Sequence, residues 1–163
     1  MLKKDGSLEC VIHMQKRKNK TLKKIVIIGG GFAGAYIARH LENDFAVTLI
    51  DTKDYFEFTP GILRTIVHTK HMKKIQVLHS HYLHKAKIIH GEVKEFNTKE
   101  VFVLGKKIPY DYLFVCSGSH YNTPIKGKNI VLTNRSQELR KAHAQLESAH
   151  EILIVGGGIV GVE

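Results

Sequence analysis

The sequence predicts an α/β fold in which a parallel sheet carries glycine turns at the carboxyl ends of its strands and an antiparallel meander lies on one side. Three observations predict it. A β-branched run, Ile25-Val26-Ile27-Ile28, enters the glycine turn Gly29-Gly30-Gly31-Phe32-Ala33-Gly34 and then an apolar helical pattern. A second strand pattern, Ala46-Val47-Thr48-Leu49-Ile50, ends in an acid, Asp51. Between residues 87 and 116, short apolar or alternating runs are separated by turn-forming residues. With 163 residues the chain can bury one ordinary core. Hydrophobic residues at 43% and charged residues at 25% exclude a disordered tail. Cys10 and Cys116 alone cannot staple a disulfide miniprotein, and they suggest a reducing compartment. No apolar run approaches the roughly 20 residues of a membrane-spanning helix.

The net charge of +10 is uneven. Residues 1–24 hold eight basic side chains (Lys3, Lys4, Lys16, Arg17, Lys18, Lys20, Lys23 and Lys24) against Asp5 and Glu9, so six of the ten net charges lie there. Such an arm can attract nucleic acid or an anionic membrane. It lacks interleaved aromatics, heptads and zinc spacing, however, so residues 1–23 are expected to form a flexible solvated tail without a nucleic-acid partner. It also lacks the apolar core of a secretion signal, and Leu2 precludes N-myristoylation.

The informative region begins at the first strand. A continuous β-branched run suits a parallel strand covered on both faces. Ala35, Ile37, Ala38 and Leu41 then mark one helical surface, and the second strand completes a βαβ unit with Asp51 placed 22 positions after Gly29. Each part has a task in holding a dinucleotide. Gly29 permits a tight turn, Gly31 lets backbone approach a pyrophosphate, and Gly34 lets the helix pack close to the strands. The amides at the helix start, around Phe32 and Ala33, offer donors and a partial positive charge to phosphate. Asp51 is placed to accept ribose hydroxyls. Glycine turns also join strands to helices with nothing bound, but strand, helix and acid together favour the nucleotide.

Further along, Tyr55, Phe56, Phe58 and Pro60 make an aromatic stretch that either anchors a loop or lies under a ring-shaped ligand. His79, His81 and His84, with His90 nearby, have ligand-like spacing, yet no cysteine joins them and no metal is expected. Residues 87–93, 101–104 and 108–110 read as meander strands, broken by Asn97-Thr98-Lys99 and Gly105-Lys106-Lys107. Tyr112-Leu113-Phe114-Val115-Cys116 is a further strand, ending in Ser117-Gly118-Ser119. Asn134 and Gln137 resemble a capping box for a helix ending near His150, with Leu139, Ala142, Leu146 and Ala149 on one face.

The first grammar then recurs. Ile152-Leu153-Ile154-Val155 enters Gly156-Gly157-Gly158-Ile159-Val160-Gly161, followed by Val162 and Glu163. The two turns are 127 residues apart and imply two nucleotides.

These residues resemble the two-dinucleotide flavoproteins of the FAD/NAD(P)-binding pyridine nucleotide oxidoreductase superfamily. Within it, the nearest look is to apoptosis-inducing-factor-like quinone reductases of the ferroptosis-suppressor type and to type II NADH dehydrogenases. The resemblance rests on residues 29–34, Asp51-Thr52-Lys53-Asp54 with Phe56 and Leu63-Arg64, Cys116-Ser117-Gly118-Ser119, and residues 156–163. It implies a Rossmann-like FAD/NAD(P)-binding fold, incomplete at its C-terminus, with residues 24–150 belonging to an FAD domain and 151–163 opening an NAD(P)H domain. By resemblance Gly29, Gly31 and Gly34 meet the FAD pyrophosphate and Asp51 its ribose. Lys53, Asp54 and Arg64 lie near FAD, Val93 meets adenine, and Ser117-Gly118 closes over the dinucleotide. Gly156, Gly158 and Gly161 would take NAD(P)H, with Glu163 near the nicotinamide. The implied activity is hydride transfer from NAD(P)H to flavin and onward to a quinone-like small-molecule acceptor. The implied location is cytoplasmic, with peripheral membrane association and a mitochondrial site left open. No side-chain acid or base is demanded for the first half-reaction. CxxC or CxxxxC pairs are absent, which disfavours disulfide-reductase activity. A later Gly-Asp segment of relatives is missing, so the chain is expected to be an incomplete form that binds FAD weakly or not at all, or a non-catalytic nucleotide-binding fragment.

Overall fold

A computed structural model describes residues 21–119 and 135–162. The greater part of the basic arm, Cys10, Asn134 and Glu163 lie outside the described residues. The elements in chain order are β1 (Lys24–Ile28), α1 (Phe32–Leu41), β2 (Ala46–Asp51), β3 (Tyr55–Glu57), α2 (Ile62–Val67), α3 (Met72–Ile75), β4 (Gln76–Leu78) and α4 (His79–Tyr82). They are followed by β5 (Lys87–His90), β6 (Val93–Phe96), β7 (Glu100–Val103), β8 (Lys106–Pro109), β9 (Tyr112–Val115), α5 (Arg135–Ser148) and α6 (Ile159–Val162).

The predicted α/β architecture is present. β5, β2, β1 and β9, in that order, form a parallel sheet, and β6, β7 and β8 form an antiparallel meander. The alternation of side chains along β1 builds a core on each face. Ile25 and Ile27 pack with Val47, Leu49, Leu83 and Ala38 of α1, whereas Val26 joins Ile50 and the meander residues Val101 and Val103. Ile27 and Leu49 are wholly excluded from solvent. Each such aliphatic side chain stabilises the fold by about 1.5–3 kcal/mol.

Residues 87–93 do not form one meander strand. The chain divides at Gly91: β5 pairs in parallel with β2, and Val93 opens the meander. The Gly91 amide donates to the Asp51 carbonyl at 2.8 Å. A Cβ at Gly91 would approach Leu104 Cγ at 3.0 Å, so the change of layer leaves little room for a side chain. The first meander turn uses the residues expected of it, whereas the second falls at Leu104-Gly105 and leaves Lys106 and Lys107 in β8, paired with Val103 and Phe102. Asn97 Oδ1 accepts the amides of Lys99 and Glu100, while Leu104 and Gly105 both take positive φ in a two-residue hairpin turn.

The aromatic stretch is only partly a loop. β3 pairs antiparallel with β4, with short helices between and after them. α5 ends at Ser148 and packs against α2, with His143 Nδ1 donating to the Ile66 carbonyl. Its expected apolar face is shallow: Leu139 is buried, but Ala149 is exposed beyond the helix.

Glu42 caps the end of α1 and reaches across to the chain entering β5. Its Oε2 accepts the amides of His84 and Lys85 at 2.8 Å and that of Ala86 at 3.2 Å, and its other oxygen meets Arg39. Burial pushes this carboxyl up, but those donors outweigh burial and bring it down to about 2. One carboxylate thus ties the end of α1 to the chain entering β5.

Candidate nucleotide site

The first turn sits where β1 ends between β2 and β9. Gly29 has φ +96°, donates its amide to the Ile50 carbonyl at 2.8 Å, and would place a Cβ 2.4 Å from the Cys116 carbonyl oxygen. Gly34 is as constrained, because its Cβ would fall 1.8 Å from the Gly29 carbonyl oxygen. These two glycines answer to the protein's own packing. Gly31 does not: a Cβ there would meet nothing within 4 Å. The smallest residue stands beside open space at the start of a helix, next to exposed Phe32 and Ala33. The first amides of α1 have no partner one turn earlier and carry the positive end of the helix dipole.

Asp51 lies under this turn. Its Oδ2 accepts the Gly30 amide at 2.9 Å and faces His79 Nε2 at 3.2 Å. Its Oδ1 has longer contacts, 3.3 Å to the Lys53 amide and 3.4 Å to the Thr52 hydroxyl. Burial pushes the Asp51 carboxyl up, but hydrogen bonds from His79, Lys53 and Gly30 and the nearby imidazole outweigh it and hold the group below the usual carboxylate range. Asp51 is therefore an ionised acceptor at neutral pH.

The other predicted residues divide between two places. Val93 and Ser117 share the wall of a cleft of about 400 Å³ with Ile28, Phe96 and Val115, at the carboxyl ends of β1 and β9. Gly118 follows with φ +71° and open space around it. Lys53 lies over the Tyr55 ring at 5.5 Å. Phe32 makes edge contacts with Phe56 at 5.1 Å and Phe58 at 5.7 Å, which joins the aromatic stretch to the helix start. Arg64 is exposed on α2, the helix that packs against α5.

The second turn has the same local shape. Gly156 has φ +105°, a Cβ at Gly161 would fall 1.9 Å from the Gly156 carbonyl oxygen, and Gly158 faces open space. The Val162 amide donates to the Gly158 carbonyl at 3.0 Å, matching Ala35 to Gly31 at 2.9 Å. The strand expected at residues 152–155 does not form, and Leu153 and Val155 are 87% and 89% exposed.

Of the four spaced histidines, His81, His84 and His90 are exposed and only His79 is buried. His79 lies on α4, is fully buried, and has both ring nitrogens engaged, by Asp51 and by the Tyr82 hydroxyl at 2.6 Å. His90 Nε2 donates to the Thr52 carbonyl at 2.7 Å. No group of three metal-binding side chains occurs among the described residues. Cys116 is half-buried, and burial pushes its thiol up, away from the thiolate needed for exchange. Sequence reasoning weighed His79 only as a metal ligand and missed the roles of Gly30, Glu42 and Tyr82. For Gly30 and His79 a signal existed: a third consecutive glycine where the turn pattern requires only alternate ones, and a histidine next to apolar residues.

Comparison with known proteins places this geometry. A family model for pyridine nucleotide-disulphide oxidoreductases matches residues 23–163. Apoptosis-inducing factor homolog A of Dictyostelium discoideum is 35% identical over 144 residues, covering 86% of this chain and 35% of that protein. Human ferroptosis suppressor protein 1 is 32% identical over 146 residues, covering 85% and 38%. The sulfide:quinone oxidoreductase of Aquifex aeolicus superposes with a TM-score of 0.61 at 26% identity, covering 77% of this chain and 32% of that one. The chain thus spans little more than a third of the curated relatives it matches.

Proposed function

The chain belongs to the pyridine nucleotide-disulphide oxidoreductase family, and from that premise we propose that its first turn holds the ADP half of FAD in an NAD(P)H-dependent oxidoreductase. The observation that carries this reading is the pairing of Gly31, open to space, with the ionised Asp51 beneath the same turn. Amides at the start of α1 would take the pyrophosphate, Gly29 and Gly34 hold the turn in place, and Asp51 would accept ribose hydroxyls. Val93 and Ser117-Gly118 would bound the adenine side, while Lys53 and Arg64 supply positive charge nearby. Gly156, Gly158 and Gly161 would take the NAD(P)H pyrophosphate with Glu163 beside them, residues 24–150 and 151–163 being parts of two nucleotide domains.

When bound, the flavin supplies hydride acceptance from the nicotinamide and electron delivery to an acceptor. The contribution of these residues is alignment and exclusion of water, since that transfer asks for no side-chain proton. A quinone-like acceptor is supported by the fold shared with the sulfide:quinone oxidoreductase. No helix among the described residues is long and apolar enough to cross a membrane.

Titration of the chain with ADP and with FAD tests the proposal. Saturable ADP binding that Asp51→Asn weakens roughly tenfold is expected, by loss of a charged acceptor. FAD should bind no tighter than ADP and leave on desalting. Equal ADP affinity in Asp51→Asn contradicts the assignment of the ribose to Asp51.

A further inference from the structure

His79 is fully buried, and a buried imidazole needs both nitrogens satisfied. Its partners set the direction of the bonds. A carboxylate only accepts, so Nε2 donates to Asp51 Oδ2 at 3.2 Å; Nδ1 meets the Tyr82 hydroxyl at 2.6 Å. That hydroxyl is pushed up to about 12 by burial and by the charge of Asp51, so it keeps its proton. The ring is also wedged beneath the turn. A Cβ at Gly30 would come 2.4 Å from His79 Cε1 and 2.5 Å from Asp51 Oδ2. The middle glycine of Gly29-Gly30-Gly31 is thus the space that admits the histidine. The start of α4 is fixed after β2, because the His79 amide donates to the Asp54 carbonyl at 2.9 Å.

Two donors on one oxygen, the Gly30 amide and His79 Nε2, stop the carboxylate from rotating. Oδ1 also faces two donors, but at 3.3 and 3.4 Å these contacts are long, and the rotatable Thr52 hydroxyl can give way to a closer ligand donor. We infer that His79, braced by Tyr82, is a positioning residue for nucleotide recognition: it holds one Asp51 oxygen inward and leaves the other as the acceptor for a ribose diol. This rests on the reading that the first turn binds the ADP half of a dinucleotide.

The test compares ADP with 2′,3′-dideoxy-ADP by calorimetry on the whole chain. The unsubstituted protein should prefer ADP by roughly tenfold, the effect of a hydrogen bond to a charged group. His79→Leu should bring that preference close to one. His79→Gln, which keeps an N–H donor, should restore most of it. Tyr82→Phe removes one oxygen and should reduce it about threefold, the effect of a neutral hydrogen bond. A folded His79→Leu chain with its diol preference intact overturns the inference, as does a Gln variant no better than Leu. If His79→Leu fails to fold, Tyr82→Phe decides, and an unchanged preference there overturns the inference. Failure of the unsubstituted chain to bind ADP, or to distinguish the diol, instead breaks the reading beneath it and takes the inference with it.

Discussion

Two glycine turns of one sequence, 127 residues apart, adopt the same bend in opposite surroundings. In both, a glycine with strongly positive φ opens the turn, and another glycine packs its Cα against the first one's carbonyl. Around the first turn stand β2, β9, Asp51 and His79; around the second the preceding residues are exposed. The difference separates what local sequence specifies from what packing specifies. Steric limits on φ and helix nucleation shape the bend, whereas β-strand formation at residues 152–155 needs neighbours to receive its ladder bonds and side chains.

A large loss should come from adding a side chain where the bend meets backbone. Gly34→Val is expected to destabilise the chain by about 3 kcal/mol or more, because a Cβ 1.8 Å from a carbonyl oxygen forces the helix off the sheet. Gly161→Val makes the same local clash, at 1.9 Å, yet should change denaturant stability by less than about 0.5 kcal/mol, since little is packed upon it. Equal losses in the two would erase the distinction between the turns.

A smaller effect belongs to Glu42. Glu42→Gln should cost about 1.5–3 kcal/mol at neutral pH, the range for hydrogen bonds to a charged group. The native carboxyl lies near 2 against its ordinary value of 4.5, so the stabilisation is present above that ordinary value. It is lost as pH falls from about 4.5 through about 2, and the two chains should converge in stability there. A gap that persists at the acid end would mean that the carboxylate charge is not what ties α1 to β5.

The least effect is expected from charge on the exposed segment. Leu153→Lys should alter stability by less than about 0.5 kcal/mol, because the side chain is 87% exposed. The corresponding change on β1, Val26→Lys, should prevent folding, since that residue is 1% exposed between two layers. Comparable circular dichroism melts for the two would refute the contrast.

Much of the first unit was legible because its signals are local. The β-branched run, the turn and the acid at the end of β2 follow one another within 27 residues, and each constrains the next. The meander was legible through Asn97 and Gly105, whose turn chemistry is equally local. What could not be read depends on partners distant in sequence. The capping by Glu42 reaches amides 42–44 positions away, and the contact of His79 with Asp51 spans 28. Residues 87–90 carry an apolar pattern that fits either layer; Gly91, crowded by Leu104 and Val103, marks the crossing. The helices between Ile62 and Tyr82 are 4–6 residues long, too short for helical periodicity to declare itself.

The central claim is that Gly31 is a glycine for the sake of a ligand and not of the fold, and Gly31→Ala tests it most directly. With φ at −71° and nothing within 4 Å of the added methyl, only the weaker N-cap is lost and the melting temperature should stay within about 4 °C of the parent, while ADP affinity measured by calorimetry should fall by roughly tenfold. A Gly31→Ala variant that binds ADP as tightly as the parent would contradict the account.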